Sequence, residues 1–182
     1  MAAAASDPQA QRWLGWTDQH VKGARQWTGL LGVKPGQGRW LPRAPDSREM
    51  SLAAVDPSGR RLAGWIEFDR ETGEIGGWLA PEFRGRGLGA ALFGGAAEFA
   101  HHHLGIAGVL AGTEADNAAC IGALSAAGFT PAAGPEAHTL PNGRVTAARW
   151  FRHESARPAR CVAAPRPRMP GQIKPDLSNG PG

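Results

Sequence analysis

Tyrosine is absent from these 182 residues, so no phenol is available to hold or pass a proton. Cysteine is nearly absent. Cys120 and Cys161 stand alone with no paired spacing, which indicates neither a disulfide framework nor a zinc site, and a reducing, cytoplasmic setting fits that usage. No apolar run approaches the roughly 20 residues that a membrane-spanning helix needs, and the N-terminus lacks a charged region followed by an apolar one. Uncompensated charge is scarce as well. Arg157, Arg160, Arg166, Arg168 and Lys174 face one acid, Asp176, after Glu154 and account for the whole formal charge of +4, while the 15 basic and 15 acidic residues up to Glu154 cancel. The folded part is therefore not an electrostatic nucleic-acid binder. The tail from residue 155 to 182 is basic, rich in proline and glycine and poor in large apolar residues, the composition of a disordered, solvated segment. Residues 1 to 154 read as one domain with a real core.

What the chain does have is glycine, 26 of them, and their densest use lies between Gly73 and Leu92. The first half of this stretch, Glu74-Ile-Gly-Gly-Trp-Leu-Ala80, reads as a strand. Arg84-Gly-Arg-Gly-Leu-Gly89 then reads as a turn that opens a helix. Such a turn lets the backbone approach a phosphate closely, and the helix N-terminus adds about half a positive charge there. Leu88, Leu92, Ala96 and Phe99 predict an apolar stripe on that helix, with Glu98 on another face. His101 to His103 close it, and Gly105 stops it. Neighbouring histidines on a helix splay about 100° apart, so the trio needs only the helix dipole to explain it, and no metal is expected. Gly85-x-Gly87-x-x-Ala90 also fits a dinucleotide fingerprint, but that motif needs a buried apolar strand directly before it, and Pro81-Glu-Phe-Arg84 stands there instead.

Arg84-Gly-Arg-Gly87-Leu-Gly89 resembles the Gln/Arg-x-x-Gly-x-Gly/Ala signature of the GNAT superfamily of acetyl-CoA-dependent N-acetyltransferases. The preceding strand looks like the one those enzymes lay along the pantetheine arm. Asn117-Ala-Ala-Cys-Ile-Gly-Ala-Leu-Ser-Ala-Ala-Gly-Phe129 is similar to a run found in their RimJ/RimL-like branch. The resemblance implies an α/β fold, a mixed and mostly antiparallel sheet flanked by helices. It implies acetyl-CoA as co-substrate, held by Trp78, Leu79, Ala80, Arg84, Gly85, Arg86, Gly87, Leu88, Gly89 and Asn117. It further implies direct attack by a primary amine, on a protein N-terminus or a small molecule, in a ternary complex. A backbone N–H around Leu79 would polarise the thioester carbonyl. A catalytically inert acyl-CoA-binding or regulatory module is the alternative.

Glu74 is the expected base, on the strand where several superfamily members carry a catalytic glutamate; the competing reading is a solvated strand-end residue beside Asp69 and Glu71. Glu67, Glu136 and His138 are weaker candidates. The acid departs from the pattern. Many members place a tyrosine where Leu124 stands here, and the serine of the RimJ/RimL-like branch is replaced by Cys120. A thiol donates only weakly, so Cys120 is either a modest stabiliser of the departing thiolate or a small buried residue.

Elsewhere, Ser6-Asp-Pro8 predicts a capped helix start, followed by Trp13 and Trp16. A second helix is expected over Gln19 to Leu31, then a loop from Gly32 to Arg48. Trp13, Trp16, Trp27 and Trp40 either line the acceptor wall or pack the core. Strands are predicted over Met50 to Val55, Arg61 to Asp69, Glu74 to Ala80, Ile106 to Gly112 and Arg144 to Phe151, with a helix from Asp116 or Asn117 and a turn at Asn142-Gly143. The first strand of the resembling fold is missing from this reading. The unpaired edge left behind is open to association, and a homodimer is one way of covering it.

Overall fold

The computed structural model describes residues 7–17, 48–56, 58 and 61–156. The second predicted helix, nearly all of the loop after it, Trp27, Trp40 and the basic tail from Arg157 onward lie outside the described residues.

Among the described residues seven strands form one sheet in the order β1-β2-β3-β4-β7-β5, with β6 paired to β7. They are β1 (Glu49–Val55), β2 (Leu62–Asp69), β3 (Glu74–Leu79), β4 (Gly108–Glu114), β5 (Thr130–Ala132), β6 (Ala137–Thr139) and β7 (Val145–Glu154). Among the described residues three α-helices flank them: α1 (Pro8–Leu14), α2 (Leu88–Phe99) and α3 (Ala118–Ala126). Every pairing is antiparallel except β3 with β4. Among the described residues β1 is the outer edge of the sheet.

Local chemistry sets the ends of these elements. Asp7 caps α1, its carboxylate accepting from Ala10 N–H at 2.9 Å, and Gly15 ends it at a φ of 63°. Asn117 caps α3 by accepting from Cys120 N–H. Strand β4 starts two residues later than the sequence suggests. Ala100–Leu104 continues α2 as a π turn, and Ile106 N–H still bonds to Ala100 C=O, so the chain cannot extend until it has left the helix. The pair Asn142-Gly143 turns between β6 and β7, but in a loop longer than two residues, with Leu140 N–H bonded to Arg144 C=O.

The core lies between one sheet face and α2 with α3. Ile66, Phe68, Ile75, Val109, Ala111 and Phe151 meet Phe93, Ala96, Ala97, Ala100, Leu124 and Phe129 there. Each large side chain so buried is worth about 2 kcal/mol in transfer free energy. The fully buried residues of α2 and the π turn that continues it are Phe93, Ala96, Ala97 and Ala100. Of the predicted stripe, Ala96 is among them, Leu92 and Phe99 pack partly buried against the same core, and Leu88 departs. Small residues let the helix sit close to sheet and α3, and Leu88 remains exposed beside the glycine turn. On the opposite face α1 and Trp16 cover a smaller cluster of Ala63, Trp78, Ala80 and Phe83.

Candidate active site

Strands β3 and β4 separate. Their ladder has one rung, Glu74 opposite Leu110, with Leu110 N–H on Gly73 C=O at 2.9 Å. Beyond it, Gly76–Leu79 and Ala111–Glu114 line the two sides of a cavity of about 740 Å³. Strand alternation decides what faces what. Ile75, Gly77 and Leu79 point toward the helices, while Glu74, Gly76 and Trp78 point to the face that carries α1. The cavity thus passes through the sheet, from the α2 and α3 side to the α1 side.

Ala80 N–H donates to Ala63 C=O, so the N–H groups of Gly77 and Leu79 lie on the edge of β3 turned away from β2, toward the gap. Gly77 has no room for a side chain, since a Cβ would come within 2.5 Å of Ile66 Cδ1 and 2.7 Å of Trp65 C=O.

At the helix side, Gly85 and Gly87 adopt φ of 68° and 74°, conformations that L side chains resist. Gly87 caps α2 without a side-chain bond, leaving the first-turn N–H groups open. Gly89 lets α2 approach α3, where a Cβ would meet that of Ala123 at 3.0 Å.

The predicted cofactor residues divide. Leu79, Gly85, Gly87, Leu88, Gly89 and Asn117 line the cavity on its helix side. Trp78 lines it from the other face. Arg86 is exposed and outside the lining, and Ala80 is buried with its N–H committed to Ala63. Arg84 lines the cavity, but its guanidinium is engaged elsewhere: Nε donates to Leu79 C=O at 2.9 Å, and the terminal nitrogens to Gln9 at 2.9 Å and Asp7 at 2.6 Å.

Glu74 is half-buried at the closed end of the gap. Burial pushes its carboxyl above the ordinary range, and Asp69 adds to this while His138 opposes it. Cys120 is half-buried on the cavity wall. Burial raises its thiol, with a hydrogen bond to Thr113 acting the other way, so it holds its proton at neutral pH. His138 and Glu67 line the α1 face; Glu136 does not line the cavity.

The sequence reading missed the network at the open end of the gap. Glu114, 6% exposed, takes two bonds from Arg144, at 2.9 and 2.5 Å, and one from Thr146 at 3.1 Å. Arg144 also donates to Arg12 C=O in the last turn of α1. No periodicity links residues 114 and 144; only the register of β4 with β7 brings them together. The three consecutive histidines diverge. His101 bonds Ile106 C=O and His153, His102 bonds Glu98, and His103 lies against the Phe99 ring. Among the described residues no group of three or more His, Cys, Asp or Glu is placed to hold a metal.

The overall fold is shared with proteins of known structure. The spermidine N-acetyltransferase of Vibrio cholerae, in complex with CoA and spermine, superposes with a TM-score of 0.54 at 15% identity, over 74% of this chain and 75% of that one. A chimera of that Vibrio cholerae enzyme gives 0.53 at 18% identity, over 60% and 68%. The microcin C7 self-immunity acetyltransferase, in complex with acetyl-CoA and AMP, gives 0.50 at 18%, over 59% and 62%. No curated protein matches in sequence. The profile of the acetyltransferase (GNAT) domain matches residues 1–130, which include α1, the separating strands, the glycine turn and α3, and the chain belongs to the GNAT acetyltransferase family.

Proposed function

We propose that the protein transfers the acetyl group of acetyl-CoA to a primary amine by direct attack in a ternary complex, as an enzyme of the RimJ/RimL-like branch acting in the cytoplasm. The observation that carries this reading is the cavity through the sheet, which joins the phosphate-ready turn on one face to Glu74 on the other. The pyrophosphate is held by the backbone of Gly85 to Gly89 and the start of α2. The pantetheine arm lies along the free edge of β3, beside Asn117. The N–H of Gly77 or Leu79 takes the thioester oxygen, a contact typically worth a few kcal/mol of barrier.

The chemistry balances over these residues and solvent water. Glu74, directly or through water, takes the proton that the amine must lose. The neutral amine nitrogen forms a bond to the acetyl carbon and gives up its second proton to solvent water as the amide forms, while the carbon–sulfur bond breaks and the electron pair leaves on CoA sulfur. The protonated Cys120 donates a hydrogen bond to that thiolate.

Calorimetric titration with acetyl-CoA tests the reading, beside Gly87→Asp. Aspartate tolerates the left-handed backbone that Gly87 requires and sets a carboxylate against the phosphates. Binding by the wild type alone, followed by release of free thiol when an amine is added, is the expected result. Binding without turnover over a panel of amines would favour an acyl-CoA-binding module, and equal binding by the variant would remove the turn from the site.

A further inference from the structure

Gly76 lies in the wall of the cavity on the α1 face, and a Cβ added to it would meet nothing within 4 Å. Its surroundings are specific. Glu74 and Trp78 flank it along β3 on the same face. Glu67 stands directly across on β2, and Trp65 stands directly across from Trp78. Trp16 packs edge-on to Trp78, with centroids 6.2 Å apart. The space above Gly76 is therefore a trough with an indole floor and a carboxylate on each strand.

The charge of this trough is one-sided. The lining holds Glu67, Glu74 and Glu114 and a single guanidinium, that of Arg84, which is paired with Asp7. Glu114 is neutralised by Arg144. Neither Glu67 nor Glu74 has a salt bridge among the described residues. Glu67 is nonetheless fixed, because Trp65 Nε1 donates to its carboxylate at 3.3 Å. Glu67, fixed by Trp65, and Glu74, whose charge His138 offsets only in part, stand by indole rings that attract ammonium groups and call for a ligand with two positive charges. As diagonal neighbours on paired strands, Glu67 and Glu74 have Cβ atoms about 7 Å apart, and the ligand must be about that long.

We propose that the acceptor is a short aliphatic diamine lying over Gly76. Its reacting amine sits at Glu74 beside the gap, its second ammonium on Glu67 at the exposed end, and its methylenes across Trp65 and Trp78. This rests on the acetyltransferase reading above and adds to it the class of acceptor. Glu67 serves specificity and Gly76 leaves the space.

The test compares 1,4-diaminobutane with 1-aminobutane, which keeps the carbon chain and loses one charge, together with a peptide bearing a free α-amine. The wild type should acetylate the diamine with a kcat/KM about tenfold or more above that of the monoamine, the worth of one hydrogen bond to a charged group. Glu67→Gln should bring that ratio to about one. Gly76→Val fits the strand backbone and fills the trough. It should lose amine turnover while keeping acetyl-CoA affinity and thermal stability, since its side chain is on the face away from the cofactor turn. Equal rates for diamine and monoamine, a preference for the peptide, or an undiminished ratio in Glu67→Gln would overturn the diamine alone. Failure of the wild type to bind acetyl-CoA would overturn the acetyltransferase reading and the diamine with it.

Discussion

Arg84 and Asp7 are 77 residues apart in the chain and 2.6 Å apart in the fold. Asp7 is the N-cap of α1, and Arg84 holds Leu79 C=O through its Nε. One guanidinium therefore fixes the start of α1 to the end of β3. Arg84→Ala should cost about 2 kcal/mol, the range for hydrogen bonds to charged groups, read as a lower denaturation midpoint in urea. Burial alone would raise the Asp7 carboxyl, but the bonds from Arg84 and Ala10 N–H leave it below its ordinary value.

The acid limb of stability follows from the same kind of pair. Arg48 bonds Asp69 and, with the N–H groups of Thr72 and Glu71, holds its carboxyl at about 2, below the ordinary 3.8. A lowered folded-state pKa contributes stability that is full above the unfolded value and is lost as pH falls through the folded one. Part of the loss in an acid titration should therefore fall between pH 3.8 and about 2. It should disappear in Asp69→Asn, measured by circular dichroism against pH.

Glu74→Gln should lower kcat by about a hundredfold, the ordinary worth of a positioned base, and leave acetyl-CoA affinity unchanged. Because burial raises its carboxyl, the wild-type rate should fall on the acid side at a pH above the usual glutamate range. Steady-state rates against pH check this. An unaltered acid limb in the variant would take Glu74 out of the reaction.

Cys120 holds its proton, so it should react slowly with iodoacetamide at neutral pH. Cys120→Ser, which keeps a donor, should retain most turnover. Cys120→Ala should lose about tenfold in kcat, the lower worth of a hydrogen bond to a charged group. Equal activity in the two variants would leave Cys120 with a packing role.

Arg144→Met leaves the carboxylate of Glu114, 6% exposed, without its cation and should lower the melting temperature. Adding Glu114→Gln should recover part of it, since the uncompensated charge is removed. Thermal melts of the single and double variants give the comparison.

Much of this was legible before any coordinates. The glycine turn, Glu74 on a strand, Asn117 as one of two candidate caps and the alternation of β2 and β3 all express local rules that act within a few residues. The predicted stripe of α2 meets the core at Leu92, Ala96 and Phe99 but not at Leu88, because periodicity identifies an apolar set but not its neighbours. With α3 packed against α2, small residues at 96, 97 and 100 are buried and Leu88 is left at the turn. Arg84 is expected among the acetyl-CoA-binding residues from its place in a motif, and nothing near it in the chain announces its bond to Asp7. Glu114 with Arg144, and the open space over Gly76, arise only when strands distant in sequence fall into register.

The single rung between Glu74 and Leu110 has a mechanical consequence. The sheet is two leaves, β1-β2-β3 and β4-β7-β5, joined at one edge like the covers of a book. Helix α1 lies across the opposite edge, tied at one end to the first leaf by Arg84 and at the other to the second by Arg144. The width of the opening is thus held by a seven-residue strut, and any force that shifts this strut is felt by both occupants of the gap at once.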